Sequence, residues 1–377
     1  MNILVATKRR YTGKDLLDHQ YGRLFEIPEA LADQGHRVTG LALSYRGQSE
    51  GLHQPRKVAW HAVSAFPFEP LGVLRYLRKF EHLIDAVRPD VVWASSDAWH
   101  AIAAEIVCRR RGVPLVIDLY DNYESFDLTR VPGIASRFRA SCRAAAGLTV
   151  VGDALREKVV DEYRLGAKPV EVVGNAVDRS VFFPRSKDEA RRSLRLPPDV
   201  RIIGTAGALD SSRGIDDLFG AFSALAGRHG DLHLAVAGRR DASATLHAHD
   251  RIWDLGVLSS SEMPSFWSAL DVAVICNKDS AFGRYCYPQK FQEIVACETP
   301  FVAADVGEMS RICRNDRSFL YRLGSGDSLA DRVDEVLSGR MRPASLRASD
   351  WRERATVVEV LMDRVCSSRR PGSPMSH

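Results

Sequence analysis

Along residues 1–175, short unbroken apolar runs alternate with longer stretches whose apolar positions recur three and four apart. The runs are NILVAT, RVTGLAL, KVAWHAV, DVVWAS and PLVIDLY, and the stretches are RLFEIPEALADQ, LGVLRYLRKFEHLIDAV and AIAAEIVCRRR. The runs lack the in-out alternation of a strand with one wet face. They therefore predict strands covered on both sides, and the stretches predict the covering helices. Such alternation is a βαβ series around a parallel sheet. LTVVG and VEVVGN add strands and close this half near Asn175.

The segment Asp178 to Val200, DRSVFFPRSKDEARRSLRLPPDV, carries three prolines and a charge cluster and interrupts the alternation, as an interdomain linker should. A second series follows: RIIGTAG, a helix over IDDLFGAFSALAGR, LHLAVAG, RIWDLGVL, a helix over EMPSFWSAL, DVAVIC, a helix over KFQEIVAC, FVAAD and SFLYRLG. The expected organisation is a first domain over 1–180, a linker over 181–200 and a second domain over 201–345. A terminal helix over 346–368 is expected to pack back toward the first domain, and 369–377 reads as a disordered tail. The fold class is α/β, two Rossmann-like doubly wound domains facing a central cleft, with ligands at the carboxyl ends of the strands.

Composition adds limits. A chain of 377 residues with 45% hydrophobic and 27% charged residues suits two soluble globular domains. No apolar run is long enough to span a bilayer. In MNILVATKRR the apolar run precedes the charges and no small-residue cleavage site follows, so it reads as a buried strand and a cytoplasmic location is expected. The seven cysteines are scattered singly with no Cys-x-x-Cys spacing, which argues against a disulfide framework and a structural zinc site. A net charge of +4 suits anionic small molecules and is far from a nucleic-acid footprint.

Candidate chemistry concentrates at two strand ends of the second series. The turn GALDSSRGIDDL, Gly207 to Leu218, offers backbone N–H groups, a helix amino end and Arg213 to one anion, and a diphosphate fits best. Equally, its glycines merely permit the turn and Arg213 is solvated. In FGRYCYPQKFQEIVAC, Pro288 starts a helix and places Lys290 and Glu293 on one face near its amino end. Lys290 can neutralise phosphate oxygens, and Glu293 can accept hydrogen bonds from a vicinal diol such as ribose. The bland alternative is a surface pair worth roughly 0.3–0.5 kcal/mol. The loop after the first strand, ATKRRYTGKDLLDHQYG, lacks Gly-x-Gly-x-x-Gly, so hydride transfer is not expected. HAHD, His247 to Asp250, reads as a solvated polar loop, and the absence of Asp-x-Asp gives no indication of metal.

Four segments, in order, resemble family 4 of the retaining, nucleotide-sugar-dependent glycosyltransferases, the group 1 glycosyltransferases of GT-B fold. They are ALADQGHRVTGLAL, VVGNAVDRSVFFP, GALDSSRGIDDLFGAF and YPQKFQEIVACETPFVAADVGEM. The resemblance implies donor-binding residues Gly207, Arg213, Gly238, Leu258, Tyr285, Pro288, Lys290 and Glu293. Glu293 matches the second acid of the family's Glu-seven-residues-Glu motif and Tyr285 stands at the first. Arg213 replaces the usual Lys and Ala208 an often-found Arg, so Lys290, Arg284 or Arg239 is expected to supply the missing cation. On the acceptor side it implies Gly22, Asp97, Tyr120 and Asp121, with Tyr120 at the usual His. Gly13 or Gly22, with Lys14 or Arg23, stands where the family approaches the diphosphate with paired glycines, or else the loop binds acceptor. Arg213, Lys290 and Asp121 are the expected catalytic residues.

The resemblance further implies a UDP- or GDP-linked sugar as donor and a saccharide or lipid-linked acceptor, with no cofactor, metal or nucleic acid. The implied reaction is front-face retaining transfer, in which the departing phosphate takes the acceptor proton, in the synthesis of a cell-surface polysaccharide, glycolipid or glycosylated metabolite. A 2-epimerase-like isomerase and a catalytically degenerate scaffold are the alternatives. LGVLRYLRKF and SRFRASCRAA mix basic and apolar residues at helical spacing, which suggests peripheral contact at the inner face of the plasma membrane.

Overall fold

The structure is a computed structural model and describes residues 1–11, 13–67, 69–240, 249–341 and 346–368. The tail 369–377 and the first half of HAHD therefore lie outside the described residues. The chain forms two compact units: Met1–Asn175 together with the segment from Trp351, and Ala176–Asp350.

The first unit is built on an eight-stranded sheet in the order Val170–Val172, Gly147–Val150, Leu115–Leu119, Val91–Ala94, Asn2–Lys8, Arg37–Ser44, Ala59–Ser64, Gly51–His53. Every neighbouring pair is parallel except the last, where the edge strand Gly51–His53 runs antiparallel. Helices cover both faces, which is why Ile3, Leu4 and Val5 are wholly buried in sequence without alternation. The strand order reverses at Asn2–Lys8: the chain first extends the sheet to one side and then, from Val91, to the other. Residues at the carboxyl ends of these two strands, Lys8 and Ser95 to Asp97, therefore border the crevice that such a reversal opens.

The helix Trp351–Ser367 belongs to this unit. It lies against the helix Arg23–Asp33, where Gln34 Nε2 donates to Arg352 O at 3.2 Å and Thr356 Oγ1 at 2.9 Å, and His36 meets Glu359 at 2.9 Å. Buried Leu361 and Val365 reach the strand at Gly147, where a Cβ would stand 3.1 Å from the Leu361 side chain.

The second unit has six parallel strands in the order Ile252–Asp254, Leu232–Ala237, Arg201–Ala206, Val272–Ile275, Phe301–Ala304, Leu320–Tyr321. Its reversal falls between Arg201–Ala206 and Val272–Ile275.

The expected linker over 181–200 is not a linker. Within it, Ser186 caps the helix Lys187–Ser193, which packs on the helix Met263–Ala269 and belongs to the second unit. Its charge cluster misled because Arg191 is buried, not solvated. Its guanidinium donates to Ala269 O at 3.0 Å, Pro198 O at 2.5 Å and Asp271 Oδ2 at 2.8 Å, so the segment is tied to the core by a satisfied cation. No described helix is long and apolar enough to cross a membrane.

Candidate functional site

In the second unit the strand reversal brings three loops together. After Arg201–Ala206 the chain turns at Gly207, φ +118°, and after Leu232–Ala237 at Gly238, φ +132°. Gly207 N donates to Ala237 O at 2.9 Å, and the two turns touch so closely that a Cβ on Gly238 would stand 1.9 Å from Gly207 O. Gly238 is thus required by loop packing as well as by its backbone angle. Gly238→Ala should lower stability by more than about 2 kcal/mol, read as a shifted urea midpoint at unchanged slope.

Lys290 enters from the helix Gln289–Ala296, with Pro288 as the residue before its first turn. Its Nζ donates to Thr205 Oγ1 at 3.4 Å and lies 3.6 Å from where a Gly207 Cβ would be, so the ammonium stands against the Gly207 turn, where it is the positive φ that favours glycine. Burial pushes the Lys290 pKa down, and the Arg213 charge pushes the same way. Two cations are therefore held near each other before any anion arrives. Arg213 sits in the 3-10 turn Ser211–Arg213, and its guanidinium lies 3.9 Å from the centre of the Phe282 ring.

Glu293 is buried, 7% exposed, and its Oε2 accepts from Trp267 Nε1 at 3.0 Å. That indole bond fixes one oxygen. Tyr285 is half-buried in the turn before the helix, with its N–H donating to Phe282 O at 3.1 Å. Leu258 is partly buried against the core on the far side of Gly238 in sequence. Arg284, expected as a substitute cation, is exposed and committed to Asp279, with Nη2 to Oδ2 at 3.0 Å. Arg239 is exposed. The structure thus gathers Gly207, Gly238, Arg213 and Lys290, and leaves Arg284 out. Sequence reading missed Thr205 and Trp267, which orient Lys290 and Glu293; a hydroxyl ending a strand was the one available signal.

In the first unit the expected acceptor residues separate. Tyr120 and Asp97 line one cavity of about 350 Å³, whose walls also include Lys8, Arg10, Ser44 and Arg46. Asp97 caps the helix Ala98–Arg111, accepting from His100 N at 3.0 Å and His100 Nδ1 at 2.9 Å. Burial opposes its charge, but His100 and Lys8, 3.7 Å away, hold the carboxyl well below the usual carboxylate range. Tyr120 donates its hydroxyl to Ser96 O at 2.9 Å. Burial foremost, then Tyr123, Tyr11 and Asp121, push its pKa far above the ordinary phenol value, so it orients and does not exchange protons near neutral pH.

Asp121 is buried beside this cavity's Tyr120 in sequence, with Oδ1 accepting from Asn122 N at 2.8 Å, and is not among the cavity walls. Gly22 is not among them either. Its φ of +77° begins the helix Arg23–Asp33, and a Cβ there would stand 2.4 Å from the Tyr11 ring. Arg23, expected to add charge near the diphosphate, is wholly buried instead. It donates to Asp118 Oδ1 at 2.7 Å and Val173 O at 2.6 Å, and Asp118 also accepts from Thr149 and Ser95. A counter-ion this deep accounts for Arg23 without any ligand. Lys14 lies over the Tyr21 ring, 3.9 Å from its centre. Of the two basic amphipathic stretches, SRFRASCRAA has Arg137 and Arg139 committed to Glu105 and Glu124.

Residues 23–176 match the glycosyl transferase 4-like domain and residues 200–339 the glycosyl transferases group 1. A D-inositol 3-phosphate glycosyltransferase of Stackebrandtia nassauensis is 27% identical over 276 residues, 68% of this chain and 59% of that protein, so the chain spans about three-fifths of that relative. The enzyme of the same name from Paenarthrobacter aurescens is 24% identical over 366 residues, 87% of this chain and 88% of its own. HepE of Anabaena in complex with UDP shares the fold at a TM-score of 0.71 and 16% identity, with 98% of this chain and 99% of that one covered. With both domains matched in order over an α/β fold of GT-B type, the chain belongs to the group 1 glycosyltransferases.

Proposed function

We propose that the protein moves a hexose from a nucleoside-diphosphate sugar to an acceptor hydroxyl with retention, the second unit binding the donor. What carries this reading is the convergence of Lys290, Arg213 and the Gly207 turn at the sheet's reversal. The anomeric carbon–oxygen bond breaks with its electron pair going to the diphosphate, while the acceptor oxygen bonds to the same face of that carbon. The acceptor proton passes to the departing phosphate oxygen. Positive charge builds on the sugar and negative charge on the leaving group, so two preset cations lower the barrier where charge develops. Glu293 receives the ribose hydroxyls in this reading.

The donor to test first is UDP-glucose, which HepE holds in another complex. Acceptors to test are saccharides, polyol phosphates and lipid-linked sugars, in the synthesis of a surface polysaccharide, glycolipid or metabolite. Peripheral membrane contact is part of the proposal, supported by the helix Glu69–Val87, where Leu71 and Leu74 are exposed beside exposed Arg75 and Arg78. A cytoplasmic site of action at the inner membrane face goes with it.

Arg213→Ala and Glu293→Ala should each reduce transfer from UDP-glucose by at least ~10-fold, as expected for a lost charge-assisted contact. Wild-type activity in both variants would sink the assignment.

A further inference from the structure

The first strand ends in Lys8, Arg9 and Arg10, and the fold gives the two arginines opposite fates. Arg9 is 1% exposed and fully neutralised: its Nε donates to both oxygens of Asp15 at 3.0 and 2.8 Å, and its Nη2 to Asp18 at 3.0 Å. Arg10 instead lines the 350 Å³ cavity, where Arg46 joins it from the loop after Arg37–Ser44. Among the described residues neither Arg10 nor Arg46 has a carboxylate partner. Among the described residues the only carboxylate on the cavity wall is that of Asp97, which is already engaged by His100 and Lys8.

We propose that this cavity is a phosphate-binding acceptor subsite, in which Arg10 and Arg46 hold the phosphate of a phosphorylated polyol or of a lipid phosphate headgroup. The charge count decides the ligand class. Three cations face one carboxylate, which leaves an excess of two, and a phosphate monoester carries about −1.5 to −2 at pH 7. Guanidinium forks match phosphate oxygens in pairs, whereas a neutral sugar would leave both charges uncompensated. The Tyr120 ring and Ser44 complete a wall with apolar and polar parts, as a polyol ring with a phosphate requires. The cavity adjoins the carboxyl ends of Asn2–Lys8 and Val91–Ala94, the reversal point of the first sheet. Calling the ligand an acceptor rests on the transfer reading above; the phosphate site itself does not.

The test is calorimetry of the full chain saturated with UDP and titrated with inorganic phosphate, in wild type, Arg10→Ala, Arg46→Ala and the double variant. Wild type should bind phosphate, and the double variant should bind it at least ~10-fold more weakly, with UDP affinity and thermal midpoint unchanged. No phosphate binding by the UDP-saturated wild type, or a double variant within twofold of it, would overturn the proposal. So would an equal loss of UDP affinity, because the arginines would then serve the donor diphosphate. Failure of wild type to bind UDP at all would instead overturn the donor reading, and the phosphate titration would still decide this one. Two further arms separate the sources. Displacement of phosphate by D-inositol 3-phosphate but not by myo-inositol supports a free polyol phosphate. Flotation with phosphatidylinositol vesicles, lost in the double variant and absent with phosphatidylcholine, supports a headgroup.

Discussion

Lys290→Met should cut sugar transfer by roughly 10²–10³-fold, the scale for removing one preset charge from a developing oxyanion, while the ligand-free protein becomes no less stable. Lys290 is placed at a cost. Burial and the nearby Arg213 charge both push its pKa down, and among the described residues its only hydrogen-bond partner is the Thr205 hydroxyl. A ligand diphosphate relieves that cost. Without ligand, the folded protein holds this proton less tightly than the unfolded chain does. Stability should therefore rise with pH from the depressed pKa up to the ordinary lysine value near ~10.4. Methionine removes the charge and keeps the length, so the variant should lose this pH slope along with activity. Assay of kcat beside thermal midpoints at several alkaline pH values checks both halves. A variant that transfers normally, or that loses stability at neutral pH, contradicts the placement.

Arg23→Leu should destabilise the first unit by about 3–5 kcal/mol, the cost of leaving a deeply buried carboxylate without its partner. Both side chains of the Arg23–Asp118 pair have no exposure. Asp118 has Oδ1 on Arg23 and Thr149 and Oδ2 on Ser95, while Arg23 Nε finds no hydrogen-bond partner among the described residues. A pair with one orphaned donor is already imperfect, so the double variant Arg23→Leu with Asp118→Leu should recover much of the loss. Chemical denaturation of wild type, both single variants and the double variant measures the coupling. If Arg23→Leu were neutral, the pair would be solvated in solution and Arg23 would again be available to a ligand.

Much of the donor-side arrangement was legible because it is local. Pro288 starts the helix, and Lys290 and Glu293 lie three residues apart, so their common face follows from helix geometry alone. Gly207 could be read as a turn residue from its place after an apolar strand. Its contact with Gly238 could not, because that depends on two loops that follow different strands.

The acceptor side was harder. Asp118 and Asp121 are three residues apart in a segment of one character, yet one is a counter-ion for Arg23 while the other holds a neighbouring backbone N–H. The Arg191 segment shows the same difficulty, since its charge density suggested solvent and its guanidinium is buried.

The sequence by itself determined the two βαβ series, the absence of a dinucleotide fingerprint and the Lys–Glu helix face, all of which follow from periodicity and short-range spacing. Only the tertiary structure decided which charges are spent and which remain. Arg9 and Arg10 are adjacent and chemically identical, but one is closed off by Asp15 and Asp18 and the other faces a cavity. The physical reason is that a charge is neutralised by whatever opposite charge the fold brings within a few ångströms, often from far along the chain, and no local pattern encodes that distance.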